Sequence, residues 1–141
     1  MIVQTATNAF KTGLMNGTYN FTSGSFKIAL YTANAALDAT TAAYTSSNEV
    51  SASGYTAGGK ALTVSVTPTT GSNSGTVAYV SFNNVSWTGA ITARGALIYL
   101  FNGTTNPSVC VLDFGADKTS NSTFQVQFPT PGPTTSIIRV A

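Results

Sequence analysis

The sequence predicts an all-β protein: a single-domain β-sandwich or jelly roll of about eight strands with a short N-terminal helix. Three observations carry this. Short runs alternate apolar and polar residues at period two, as in Leu62, Val64 and Val66 against Thr63, Ser65 and Thr67. Clusters of Gly, Asn, Ser and Pro separate those runs. Only one stretch has helical spacing, and 141 residues suit one domain, residues 1–141.

The helical stretch lies in an N-terminal segment, residues 1–20. From Thr5 to Asn16, residues Ala9, Phe10, Leu14 and Met15 share a face, Thr5 or Thr7 caps the start, and Asn16-Gly17 supplies a left-handed stop. Phe26–Tyr31 is the first predicted strand. Ala33–Ala43 is rich in Ala and Thr and fits either helix or loop, and the part from Leu37 to Tyr44 also fits a turn or an edge strand. Ser46–Gly59 reads as a long loop, and such loops are uncommon in compact domains unless they have a task. A contact surface is the natural one.

Strands follow at Ala61–Thr67, ended by Pro68, then at Thr76–Phe82 after a flexible turn at Gly71–Gly75, and at Val85–Trp87. Gly95–Phe101 and Val109–Phe114 are apolar on both faces. Such strands are either central in a sandwich or buried on one face by a partner. Ser122–Phe128 returns to strict alternation. Pro129, Pro131 and Pro133 make a stiff connector before a last strand at Ser136–Val140.

Composition narrows function mainly by exclusion. Only 7% of residues are charged, against about 25% in an average soluble protein. Little charge repulsion keeps copies apart, which favours self-association or a large partner surface. The six basic residues form no stripe, so no nucleic-acid partner is expected. No apolar run approaches the ~18 residues that span a bilayer, so no membrane partner is expected. No secretory signal is visible, and the Asn-X-Ser/Thr sequons are read as unglycosylated.

No enzymatic activity is expected, and neither a cofactor nor a metal. The chain has no histidine, which removes His-dependent triads and His-ligated metals. The lone Cys110 lies in an apolar run and reads as a buried thiol. Asp113 and Asp117 are the closest acids in sequence. The intervening Phe114, Gly115 and Ala116 supply no side-chain oxygens for calcium, so a solvated turn is the better reading. Tyr19, Phe21, Tyr31, Tyr44, Tyr55, Trp87 and Tyr99 are the candidates for stacking on a sugar, with packing as the commoner use of such residues.

Three features carry a family resemblance: the helical segment ending at Asn16-Gly17, the strand Phe26-Lys27-Ile28-Ala29-Leu30-Tyr31-Thr32, and the stretch from Asn48-Glu49-Val50-Ser51 through Gly54-Tyr55-Thr56-Ala57-Gly58-Gly59-Lys60-Ala61-Leu62. Together they resemble the jelly-roll cement (decoration) proteins of tailed-bacteriophage capsids. The resemblance covers the first half of the chain. The second half matches in β character and length. It implies a structural virion protein on the outer capsid surface, made in the host cytoplasm. The implied partners are the major capsid protein and the chain itself, as a dimer or a trimer.

On that reading Asn48, Glu49, Ser51, Ser53, Gly54, Tyr55 and Thr56 are the expected capsid contacts, and Leu97, Tyr99 and Phe101 the expected subunit interface. The competing class is a tail- or fibre-associated β-sandwich that binds a host glycan or receptor.

Overall fold

A computed structural model describes residues 1–71 and 75–141. The middle of the expected Gly71–Gly75 turn lies outside them. One helix, α1 (Asn8–Asn16), follows a short strand, β1 (Thr5–Ala6). Nine further strands complete the described fold: β2 (Phe26–Tyr31), β3 (Lys60–Leu62), β4 (Val64–Thr70), β5 (Ala78–Phe82), β6 (Val85–Thr88), β7 (Thr92–Leu100), β8 (Ser108–Thr119), β9 (Thr123–Val126) and β10 (Ile138–Val140). The all-β expectation with one short helix holds. The strand count is ten, above the eight expected.

Both additions have a physical origin. Thr5 and Ala6 pair with Val111 and Cys110, so the chain enters as an edge strand before the helix starts. Thr7, and not Thr5, is the N-cap: its hydroxyl accepts the Phe10 N–H at 3.2 Å, and the residue is fully buried beside Ser108. The expected strand Ala61–Thr67 is two strands. β3 belongs to one sheet and β4 to another, and the chain changes layer at Thr63. Pro68 does not end β4, because it sits at an edge where the ladder with β5 shifts register between Val66 and Thr69.

The strands form a five-stranded sheet in the order β1-β8-β7-β2-β3, a three-stranded sheet β10-β5-β4, and a two-stranded sheet β6-β9, with every pair antiparallel. The five-stranded sheet is one layer of a sandwich and the two smaller sheets are the other. Alternation explains the layering. Phe26, Ile28 and Leu30 of β2 and Ala96 and Ile98 of β7 face inward. They meet Val80 and Phe82 of β5, Trp87 of β6, Phe124 and Val126 of β9 and Ile138 of β10 in one core. Phe21 stacks on Phe26 with ring centroids 4.5 Å apart, and Trp87 meets Phe124 edge-on at 6.3 Å.

The helix closes one end. Its buried residues are Phe10 and Gly13, and the Tyr19 ring fills the space where a Gly13 side chain would go. Leu14 and Met15 do not share the buried face with Phe10. They are 41% and 85% exposed.

The other residues of β2 and β7 point to the outer face of the large sheet. Ala29, Tyr31, Leu97 and Tyr99 form a second core there with Ile2 and Val111. The chain covers this face itself. Ala35, Leu37 and Tyr44, all from the excursion between β2 and β3, lie on it. Leu97 and Tyr99 are 0% and 1% exposed, so they cannot form the expected subunit interface. Of that trio only Phe101 reaches the surface, where the Lys27 ammonium lies 3.9 Å from its ring centroid.

Candidate functional site

The segment 48–59 is the candidate surface, and its order comes from main-chain pairing. β3 covers the free side of β2 only at Phe26, Ile28 and the Lys27 between them. Beyond that, residues 48–50 take over the ladder. The Val50 N–H donates to the Leu30 carbonyl at 2.9 Å, and the Thr32 N–H donates to the Asn48 carbonyl at 3.0 Å. Asn48 turns the chain into this position with φ of 59°, a left-handed conformation that Asn tolerates. Tyr31 and Glu49 are bridge partners. Opposite residues of a pair share a face, so the Glu49 side chain lies over the outer core and Val50 goes inward.

The Glu49 carboxylate ties the excursion together. One oxygen accepts the Tyr44 hydroxyl at 2.6 Å. The other accepts the Tyr55 hydroxyl at 2.6 Å and the Gly58 N–H at 2.7 Å. Tyr55 also accepts the Leu30 N–H at 2.8 Å, so a β2 amide, a tyrosine and the carboxylate form one chain of bonds. Around them Tyr31 donates to the Thr45 carbonyl and Tyr99 to the Gly58 carbonyl, each at 2.6 Å. The Tyr44 and Tyr99 rings stack at 4.9 Å. A half-buried carboxylate is thus held by three donors, none of them a cation, and it fastens both ends of the loop to β2.

Two close backbone approaches fix the rest. Gly54 lies against the Thr88 carbonyl at the end of β6, where an added Cβ would stand 1.8 Å from that oxygen. Gly59, with φ of 76°, lies equally close to the Ile28 carbonyl.

Glu49 and Tyr55 therefore serve the loop's own structure, with side chains turned inward. Asn48, Ser51, Ser53, Gly54 and Thr56 are exposed and present an uncharged surface of amide, hydroxyl and main chain. The sequence pattern did not reveal the tie. Its signal was available: one of only four acids, flanked by Tyr44 and Tyr55 in a stretch otherwise of small residues.

The other candidates resolve by geometry. The Asp113 carboxylate pairs with Arg94 at 2.9 Å and accepts the Gly115 N–H at 2.9 Å. The Arg94 contact first, then the Gly115 N–H, hold its carboxyl below the ordinary carboxylate range. Among the described residues no group of three or more metal-ligating side chains comes together. Burial pushes the Cys110 thiol up to about 12. Tyr19, Phe21, Tyr31, Trp87 and Tyr99 are buried, the Tyr44 ring stacks on Tyr99 and the Tyr55 ring lies against Trp87, so these rings pack within the protein. Among the described residues no helix is long and apolar enough to cross a membrane.

The tyrosine network makes a pH prediction. Burial raises the hydroxyl pKa of Tyr31, Tyr44 and Tyr55 above the ordinary 10, with the Glu49 charge adding to it, and pushes Tyr19 and Tyr99 up to about 12. A hydroxyl raised in the folded state favours folding fully below its unfolded value of about 10, and that stability is lost as pH climbs through the folded value. Tyrosinate absorbance is therefore expected to rise in one cooperative step with loss of near-ultraviolet dichroism above pH ~10. A gradual rise while the fold persists would show the network to be open to water.

No protein-family model, curated protein or solved structure matches the chain.

Proposed function

We propose that the chain is a structural virion protein that binds the outside of a phage capsid and reinforces contacts between major capsid protein subunits. The observation that carries this reading is the state of the segment on which the family resemblance rests. Residues 48–59 are fastened to β2 through Glu49, and they turn Asn48, Ser51, Ser53, Gly54 and Thr56 outward. A loop already held in one conformation loses little entropy on binding, so an uncharged, hydroxyl-rich contact can be productive without hot-spot charges. The low charge of the whole chain supports close approach to a large protein surface.

In this role the protein is a homo-oligomer, and each copy makes a modest contact. Linking contacts to neighbouring capsomers multiplies them: avidity exceeds a single affinity by a factor of about 10²–10⁴ when geometry permits. Binding only the expanded lattice shifts shell maturation toward that state.

The test is co-sedimentation with undecorated shells, expanded and unexpanded. Saturable binding at regular lattice positions, stronger on expanded shells, is the expected result. Absence of binding to both shells overturns the proposal. Lysine at Ser51, Ser53 and Thr56 together is expected to lower shell affinity about tenfold or more while the melting temperature stays constant, because none of these side chains is buried. Unchanged occupancy would move the contact away from this loop.

A further inference from the structure

β8 and β9 follow one another through residues 120–122 alone, yet they do not pair. They are one side of a single ribbon: the pairs Val85–Val126 to Thr88–Thr123 and Thr92–Thr119 to Ala93–Lys118 keep one register, so the ribbon bends at residues 120–122 as it passes from the large sheet to the small one. At this bend β8 and β9 border an open slot of about 410 Å³ lined by Phe114, Lys118, Thr119, Gln125 and Gln127 among others. The apex is pinned. Ser120 donates its hydroxyl to the Gly89 carbonyl at 2.8 Å and accepts the Ile91 N–H at 3.2 Å, while the Gly89 N–H donates to the Ser122 carbonyl at 2.8 Å.

The ladder register says which main-chain groups face the slot. Antiparallel pairs alternate between hydrogen-bonded and non-bonded positions. The Gly89–Ser122 bond makes that pair a bonded one, so Trp87–Phe124 and Val85–Val126 are bonded too. Thr123, Gln125 and Gln127 then direct their N–H and carbonyl groups away from β6, into the slot. All three line it. On the β8 side of the bend the Ser120–Ile91 bond places Lys118 in a bonded pair with Ala93, so the main chain of Thr119 turns away from β7, along the same free edge of the ribbon.

Two other open edges are blunted and this one is not. At the β6 edge the Lys60 ammonium caps the Ser86 carbonyl. At the β4 edge Pro68 and two register shifts interrupt the ladder. β9 carries neither device.

We infer that the slot between β8 and β9 accepts an extended polypeptide segment of a partner protein, which pairs with the β9 edge as an added strand. Only a strand supplies donors and acceptors at the two-residue spacing of Thr123, Gln125 and Gln127, a span of about 14 Å. Lys118 is the one charged side chain on the slot wall, so the segment carries an acidic residue opposite it. Apolar residues at alternate positions meet Phe114, which already lies against Phe124 at 6.2 Å. This inference stands independently of the capsid reading.

The probe is a blocked synthetic peptide of about nine residues that alternates valine and threonine around a central glutamate, added to the full chain. Saturable binding that slows amide exchange about tenfold or more at Thr123, Gln125 and Gln127, but not at Phe124 or Val126, is expected. Q125P removes one slot-facing donor and no β6 bond, and should weaken binding about tenfold with the fold unchanged. The same peptide N-methylated at alternate residues tests the edge without altering the protein: one of the two methylation phases should lose binding and the other retain it. Binding insensitive to both Q125P and methylation, or no protection of these amides at millimolar peptide, overturns the inference. So does concentration-dependent protection of the same amides without peptide, which would assign the slot to a second copy of the chain.

Discussion

Replacing Glu49 by alanine is expected to cost about 3 kcal/mol of folding stability, a fall of about 10 °C in melting temperature for a domain of this size. The carboxylate takes three hydrogen bonds, from Tyr44, Tyr55 and Gly58, in a half-buried site. Bonds to a charged acceptor contribute about 1.5–3 kcal/mol each when measured alone, but these share one group and are not additive. Water reaching the opened site recovers part of the loss. Glu49→Gln keeps the shape and one acceptor oxygen, and a loss of about 1 kcal/mol is expected. Calorimetry measures both. Amide exchange at Gly58 should accelerate in Glu49→Ala before any global change. A melting point within about 2 °C of the parent would show that the outer core alone holds the excursion.

Gly59→Ala is expected to be more damaging. An added Cβ would stand 1.9 Å from the Ile28 carbonyl oxygen and 2.7 Å from the Ala29 Cα. Both atoms belong to the middle of β2, which is bonded on both sides and cannot retreat. The φ of 76° adds left-handed strain for any residue with a side chain. A loss of about 4 kcal/mol or more, with detachment of β3 from β2, is expected. Gly103→Ala is the internal control. Its φ is 75°, but nothing lies within 4 Å of the added carbon, so only about 1–2 kcal/mol of backbone strain applies. Equal effects at the two positions would mean that β2 can yield.

The two faces of β2 and β7 mark where sequence reading succeeds and where it stops. Period-two alternation puts Phe26, Ile28 and Leu30 on one face of their strand, and likewise Phe124, Val126 and Phe128, and the core takes each of these faces, because one repeating local geometry places them all. A strand apolar on both faces says that something covers the second face, but not what. The sequence alone points Leu97 and Tyr99 toward a subunit interface. Ala35, Leu37 and Tyr44 cover them, from a stretch with no periodicity of its own. That excursion is tied to distant parts of the chain by the Leu30 N–H on the Tyr55 hydroxyl, the Tyr99 hydroxyl on the Gly58 carbonyl and the Tyr44 N–H on the Asn106 carbonyl, and local propensity carries no record of such bonds. The splitting of β3 from β4 is hidden for a related reason: within the expected strand Ala61–Thr67 the alternation runs unbroken from Leu62, and the change of layer at Thr63 is a tertiary event. The exposed part of the candidate surface, at Asn48, Ser51, Ser53, Gly54 and Thr56, was legible because small polar residues in a long loop have little else to pack against.

The interior position of β2 in the large sheet has a cost during synthesis. Its partners begin at Lys60 and Thr92, both downstream. At roughly 5–20 residues per second, a ribosome takes several seconds between finishing Tyr31 and delivering β7. Until β3 emerges partway through that interval, a strand with apolar residues on both faces is present on the nascent chain without either neighbour, and until its end without β7. Lys27 is the one charged gatekeeper within it, and the sparse charge of the surrounding sequence adds little repulsion between nascent chains. Soluble yield should therefore depend on what shields Phe26–Tyr31 in those seconds, chaperones included, more than on the stability of the finished sandwich.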